Sequence, residues 1–171
     1  MSGRAILLEG RPGIGKTTAA RALVRALRAR DVEVAGFTTE EIRGGGRRLG
    51  FRVESVSGAR AVLAHVELPG PPRVGRYGVD LAAFERVALP SIHSPARVVV
   101  IDELGKMELA SDPFRDAVTA LLERDLTIVA TVHAFAHPFT DALKRRPGVD
   151  RIRVSTQNRD ALPQDVAGAL A

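Results

Sequence analysis

The chain has 171 residues, 45% hydrophobic and 26% charged, which is ordinary usage for a soluble domain and argues against both disorder and a membrane protein. It contains no cysteine, so a disulfide framework and a thiolate metal site are both excluded. Twenty-five Lys and Arg against 20 Asp and Glu leave a net charge of +5, which invites a polyanionic partner.

A nucleotide meets that need by itself. The arginines are scattered through Arg11, Arg21, Arg25, Arg28, Arg43, Arg47 and Arg48 and are not blocked into a tail. Six Phe, one Tyr and no Trp leave few platforms for base stacking, so a nucleic-acid partner stays open but is not favoured. The apolar run at residues 5–8 is broken by Glu9 and Gly10, too early for a signal peptide, and no 18-residue apolar stretch follows. The expectation is one domain over residues 1–171, in the cytoplasm, with no membrane partner, as a monomer or a small homo-oligomer.

In chain order, residues 4–8 read as a short buried strand. Residues 15–30 read as a helix with Ala20, Leu23, Val24 and Leu27 on one face and Arg21, Arg25 and Arg28 on the other. Residues 32–42 are strand-like, and Gly44, Gly45 and Gly46 separate them from residues 48–56, where Leu49, Phe51 and Val53 alternate with polar neighbours; this is a glycine-tipped hairpin. Residues 59–66 add a further antiparallel strand, and Pro69, Gly70, Pro71 and Pro72 open an extended loop running toward Asp80.

Residues 81–89 read as a short helix ended by Pro90. Residues 97–101 form an unbroken Val and Ile run of the kind buried inside a parallel sheet, ending in Asp102 and Glu103. Ser111 caps a helix that carries Pro113 in its first turn and Phe114, Ala117, Val118, Leu121 and Leu122 at helical spacing. Residues 126–132 and 149–154 supply two more strands, and residues 158–170 a C-terminal helix whose start Pro163 delays. Strands and helices alternate, so the fold class is α/β, a mostly parallel sheet flanked by helices with an antiparallel extension from the middle of the chain.

The chemistry is concentrated in two places. Gly10, Arg11, Pro12, Gly13, Ile14, Gly15, Lys16 and Thr17 fit the P-loop pattern of two glycines with four residues between them, followed by Lys and Ser or Thr, set between a strand and a helix as the motif requires. Glycines let the backbone N–H groups face the phosphates and the helix start adds positive potential. Lys16 reaches the β and γ phosphates, and the Thr17 hydroxyl ligates Mg2+. The strand through Val99, Val100 and Ile101 delivers Asp102 as the second metal-side residue, acting on Mg2+ through coordinated water. Glu103 follows directly, placed to orient and polarise a water attacking the γ phosphate, which points to hydrolysis.

A hydrolase also gains from positive charge at the transition state. Arg43 and Arg48, flanking the glycine hairpin, rank first as catalytic arginines, whereas Arg21, Arg25 and Arg28 read as structural. Lys106 and Glu108 read as an exposed pair. Thr131 and His133 end the strand at residues 126–132, where a polar side chain could sense the γ phosphate or hold the water; a loop-starting histidine is the plainer reading. His65, His93, His133 and His137 are dispersed and imply no metal site.

The chain resembles the small P-loop nucleoside-triphosphatase family that includes the thermophile NTPases and the human cancer-related nucleoside-triphosphatase. The resemblance rests on the phosphate loop from Gly10 through Thr18, on Gly36, Phe37, Thr38, Thr39, Glu40, Glu41, Ile42 and Arg43, and on Gly45 through Phe51. It continues in Val79, Asp80 and Leu81 through Ala88, Leu89 and Pro90, and in Ile101, Asp102, Glu103, Leu104, Gly105, Lys106, Met107, Glu108 and Leu109. Asn158 and Arg159 are similar to the family's C-terminal motif. Thr38, where an aromatic is common, and residues 132–138, in place of a proline-containing stretch, depart from it. The resemblance implies a RecA-like core, a nucleotide-contact set spanning residues 10–18 and 99–106, and Mg-dependent hydrolysis of ATP, GTP, CTP and UTP with little base selectivity. Two alternatives remain at this level: a nucleotide or polynucleotide kinase, which uses the same loop and acids, and a nucleotide-dependent nucleic-acid-binding regulator.

Overall fold

The computed structural model describes residues 4–171. Nine strands form one sheet: β1 (Arg4–Glu9), β2 (Val34–Gly44), β3 (Arg47–Ser55), β4 (Arg60–His65), β5 (Arg73–Val74), β6 (Tyr77–Val79), β7 (Val98–Leu104), β8 (Thr127–Val132) and β9 (Val149–Arg153). Five helices accompany them: α1 (Lys16–Arg28), α2 (Leu81–His93), α3 (Asp112–Leu121), α4 (Pro138–Arg145) and α5 (Leu162–Leu170). The spatial order is β5–β6–β4–β3–β2–β7–β8–β1–β9. All pairings from β2 to β9 are parallel and all those from β2 outward to β5 are antiparallel. This is the parallel core with an antiparallel extension expected from the alternation of elements.

The core strands are apolar on both faces because helices cover both. Ala5, Leu7, Val99 and Ile101 pack with α2 and α3 on one side, while Ile6, Leu8, Val98 and Val100 pack with α1 and α5 on the other. Phe37, Phe84 and Phe114 meet edge to face at centroid distances of 5.1–5.7 Å, joining β2, α2 and α3. Where β2 passes β7, Gly36 has φ +109°, and a Cβ there would lie 1.9 Å from the Val100 carbonyl oxygen. Only glycine permits that approach. The hairpin tip behaves as its glycines require, with Gly45 and Gly46 at φ +57° and +73° between β2 and β3.

Four elements differ from expectation. Pro90 does not end α2, which runs on to His93. The fully buried Ile92 holds the last turn in the core, and the Ser91 hydroxyl donates to Ala88 O at 2.7 Å. The segment from Pro69 to Asp80 contains the β5–β6 hairpin instead of an uninterrupted loop. The C-terminal helix begins only at Leu162, with Pro163 in its first turn. Helix α4 is absent from the sequence reading because it is short, buries only Thr140 and Leu143, and is capped by His137, whose Nδ1 accepts from the Phe139 N–H. No described helix is long and apolar enough to cross a membrane.

The aromatic cluster is a direct test of this packing. Phe114→Ala should cost about 3–5 kcal/mol of unfolding free energy, read by urea denaturation at unchanged slope. A loss below about 1 kcal/mol would mean that α3 is not packed as described.

Candidate active site

The site forms at the C-terminal ends of the parallel strands, where β1, β7 and β8 finish side by side. Between β1 and α1 the chain turns through Gly13 and Gly15 at φ +81° and +112°, conformations that side chains rarely adopt. Gly15 is the residue preceding α1, so the loop opens onto that helix's N-terminus. Lys16 is 7% exposed, and its Nζ donates to Gly10 O at 2.5 Å and Val132 O at 3.3 Å while standing 3.5 Å from Glu103 Oε2.

Asp102, 1% exposed, ends the apolar stretch of β7 and is held from three directions. Thr131 Oγ1 on β8 donates to its Oδ1 at 2.7 Å, Thr17 Oγ1 on α1 reaches the same oxygen at 3.2 Å, and the Thr39 N–H on β2 donates to Oδ2 at 3.2 Å. Burial pushes this carboxyl up from its ordinary range, and those three donors pull it back toward the ionised form. Thr131 therefore serves Asp102. Thr39 carried no expectation of its own, because only the β2–β7 register brings it to the acid.

Thr17 and Asp102 present a hydroxyl and a carboxylate oxygen within hydrogen-bond distance of each other, a hard-oxygen pair of the kind Mg2+ uses together with water and substrate phosphates. Among the described residues no cluster of three or more His, Cys, Asp or Glu could hold a metal alone.

A cavity of about 500 Å³ lies over the loop, bounded by Lys16, Thr17, Thr39, Glu103, Glu108 and His133. Burial raises the Glu103 carboxyl, Lys16 lowers it, and Asp102 raises it again. Lys106 and Glu108 do not form the expected exposed pair. Glu108 starts a 3₁₀ turn, Glu108–Ala110, that folds back under β7, and it is only 4% exposed. Lys106 Nζ sits 4.6 Å from the Phe135 ring centroid. A Cβ on Gly105 would stand 2.7 Å from Glu103 Oε1 and 3.1 Å from Glu108 Oε2, so the two carboxyls converge on that glycine.

The remaining candidates separate clearly. Thr18 and Pro12 line the cavity, and Ile14 is buried under the loop. Arg11 is exposed. Val99, Val100, Ile101 and Leu104 are buried within the sheet, where they carry the acids without facing the cavity. Arg43 is not on the cavity wall and pairs with Glu41 at 2.8 Å on the exposed hairpin. Arg48 does reach the wall, its guanidinium held by Glu41 at 3.2 Å and by the Tyr77 hydroxyl at 2.9 Å. Arg21 is more than a solvated side chain, donating to Thr39 O at 3.1 Å behind the Asp102 contact.

Burial raises Glu108 well above the usual carboxylate range, and the neighbouring Glu103 raises it further. The folded state thus keeps a proton that the unfolded chain releases near the ordinary Glu value, and stability falls as pH rises above that value. Glu108→Gln should remove this slope and raise the melting temperature at pH 8 more than at pH 5, by roughly 2–4 °C for each kcal/mol recovered. Parallel melting curves for the two proteins across that range would contradict it.

Residues 5–167 match the family model described as NTPase. The nucleoside-triphosphatase THEP1 of Thermotoga petrophila is 37% identical over 168 residues, covering 96% of this chain and 92% of that protein. The human cancer-related nucleoside-triphosphatase is 39% identical over 179 residues, covering 95% and 94%. The crystal structure of THEP1 from Aquifex aeolicus superposes with a TM-score of 0.87 at 34% identity, covering 97% of this chain and 98% of that one. The solution structure of the human protein gives 0.84 at 38%, covering 98% and 97%. The chain belongs to this family of P-loop nucleoside-triphosphatases and is an enzyme that hydrolyses nucleoside triphosphates.

Proposed function

We propose that the enzyme hydrolyses ATP, GTP, CTP and UTP to the diphosphate and phosphate in a Mg-dependent reaction with little regard for the base. The observation that carries the catalytic part is Glu103, a carboxylate 3.5 Å from Lys16 on the wall of the phosphate cavity, one residue beyond the buried Asp102. In this reading the triphosphate lies along residues 10–17, and Lys16 exchanges its carbonyl contacts for the β and γ phosphates. Thr17, and Asp102 through water, would hold Mg2+, which when bound would supply charge neutralisation for the phosphates. Glu103 accepts a proton from the attacking water.

Base tolerance is supported by a second cavity on the outer side of the loop, bounded by Thr18, Ala19, Ala22, Arg159, Asp160 and Pro163. These side chains offer no aromatic clamp, and Arg159 and Asp160 lie on the exposed turn before α5, where a base edge would meet water. Asp160 suits a ribose hydroxyl. Arg159, which donates to Ile14 O at 3.2 Å, braces the loop.

Transfer to a nucleotide acceptor would require free cations at the γ-phosphate wall. Arg48, on the cavity wall, is committed to Glu41, and on the hairpin beside it Arg43 is committed to Glu41 and Arg52 to Glu40 at 3.8 Å. None of these three paired arginines is free to neutralise the transition state. Turnover of the isolated chain is therefore expected at roughly 10⁻² s⁻¹ or below.

Phosphate release without any acceptor tests the reading. All four triphosphates should be hydrolysed with kcat/KM within about tenfold of one another, with activity abolished by EDTA and reduced at least about 100-fold by Lys16→Ala. Strong preference for one base, or undiminished release in EDTA, would refute it.

A further inference from the structure

His133 follows β8 directly and is 2% exposed, on the wall of the cavity that also holds Lys16 and Glu103. Its Nδ1 lies 2.9 Å from the Phe135 carbonyl oxygen. A carbonyl can only accept, so Nδ1 carries the hydrogen and donates it. In a neutral ring this leaves Nε2 with a lone pair, and that atom is buried with no hydrogen-bond partner among the described residues. A buried polar atom without a partner is uncommon enough to call for a ligand.

The ring is held in place by more than this bond. Phe135 stacks on it at a centroid distance of 3.3 Å and an interplanar angle of 8°, and the Lys106 ammonium lies over the Phe135 ring at 4.6 Å. His137 approaches at 6.3 Å. Burial lowers the imidazole to about 4, and the nearby Lys144, Lys16 and His137 all act in the same direction, so the ring stays neutral across the physiological range. The nucleotide reaction brings two kinds of oxygen into this cavity. Those of the γ phosphate are acceptors and do not match a lone pair, whereas a water molecule has hydrogens to give.

We propose that His133 is a catalytic residue whose Nε2 accepts a hydrogen bond from the water that attacks the γ phosphorus, while Glu103 takes that water's other proton. The inference rests on the role given to Glu103 above. The water oxygen forms the new bond to phosphorus, the bond from phosphorus to the β–γ bridging oxygen breaks, and the diphosphate leaves with the electron pair. His133 neither gains nor loses a proton. Two acceptors fix both hydrogens of the water and hence the direction of its lone pair, which is the orientation an in-line displacement needs.

The test compares wild type with His133→Ala, His133→Phe and Glu103→Gln. It measures kcat for ATP with Mg2+ and the Kd of the non-hydrolysable β,γ-imido analogue of ATP. Both His133 variants should lose roughly 10- to 100-fold in kcat with analogue affinity within about twofold of wild type, and added imidazole should restore part of the activity of His133→Ala only. His133→Phe keeps an aromatic ring against Phe135 but gives up the Nδ1 bond to its carbonyl, so unchanged analogue affinity is what separates a loss of catalysis from a displaced loop. Wild-type kcat in either variant overturns the proposal, and so does a fall in analogue affinity that tracks kcat/KM, which would make His133 a phosphate contact. Loss in Glu103→Gln alone, with both His133 variants fully active, sinks His133 and leaves Glu103 standing. A wild-type rate in Glu103→Gln removes the base on which both readings depend.

Discussion

A carboxylate buried as deeply as Asp102 is tolerated only when its oxygens are satisfied, and here three threonines from three different elements satisfy them. That constraint ties the site to the fold. Thr131 fixes the end of β8, Thr39 fixes the point where β2 leaves the parallel core, and Thr17 fixes the first turn of α1 and with it the phosphate loop. Displacing any one of these elements would strand a buried charge, so the acid and the loop are positioned by the same bonds.

The parallel half of the sheet carries the glycine loop and Asp102, and the antiparallel half supplies Glu40, Glu41, Arg48, Phe51 and Leu63 to the cavity wall. The hairpin beside that wall is rich in arginine but electrically muted, because Glu41 on β2 pairs with Arg43 and Arg48, and Glu40 pairs with Arg52 and with Arg21 on α1. Exposed pairs of this kind contribute little stability, typically well under 1 kcal/mol. In the structure described these guanidinium groups face carboxylates. A net charge of +5 therefore overstates the cationic character of the site.

Much of this was legible in the sequence where local physics decides the outcome. The glycines of the phosphate loop, the apolar run of β7 ending in two acids, and the Ser111 cap each announce a structure that needs little from the rest of the chain. Thr39 was silent, because its partner is 63 residues away and only strand register joins them. Glu108 was misread as a surface acid, since a charged residue two positions after a lysine gives no hint that a 3₁₀ turn will fold it inward. His133 was visible as a strand-end histidine, but its significance lies in which nitrogen is committed to Phe135, a detail that spacing does not contain. Pro90 misled in the opposite direction: the rule that proline ends helices yielded to the burial of Ile92.

The ends of β7 and β8 meet the phosphate loop, where the proposed reaction needs a metal at Thr17 and Asp102 and a water at Glu103. A crystal structure with Mg2+ and a non-hydrolysable triphosphate analogue is the decisive experiment. The ion is expected on Thr17 Oγ1 and linked through water to Asp102, with Lys16 on the terminal phosphate. A single water is expected between Glu103 and the γ phosphorus. A metal bound away from Thr17 and Asp102, or a terminal phosphate whose attack side is closed to Glu103, would contradict it.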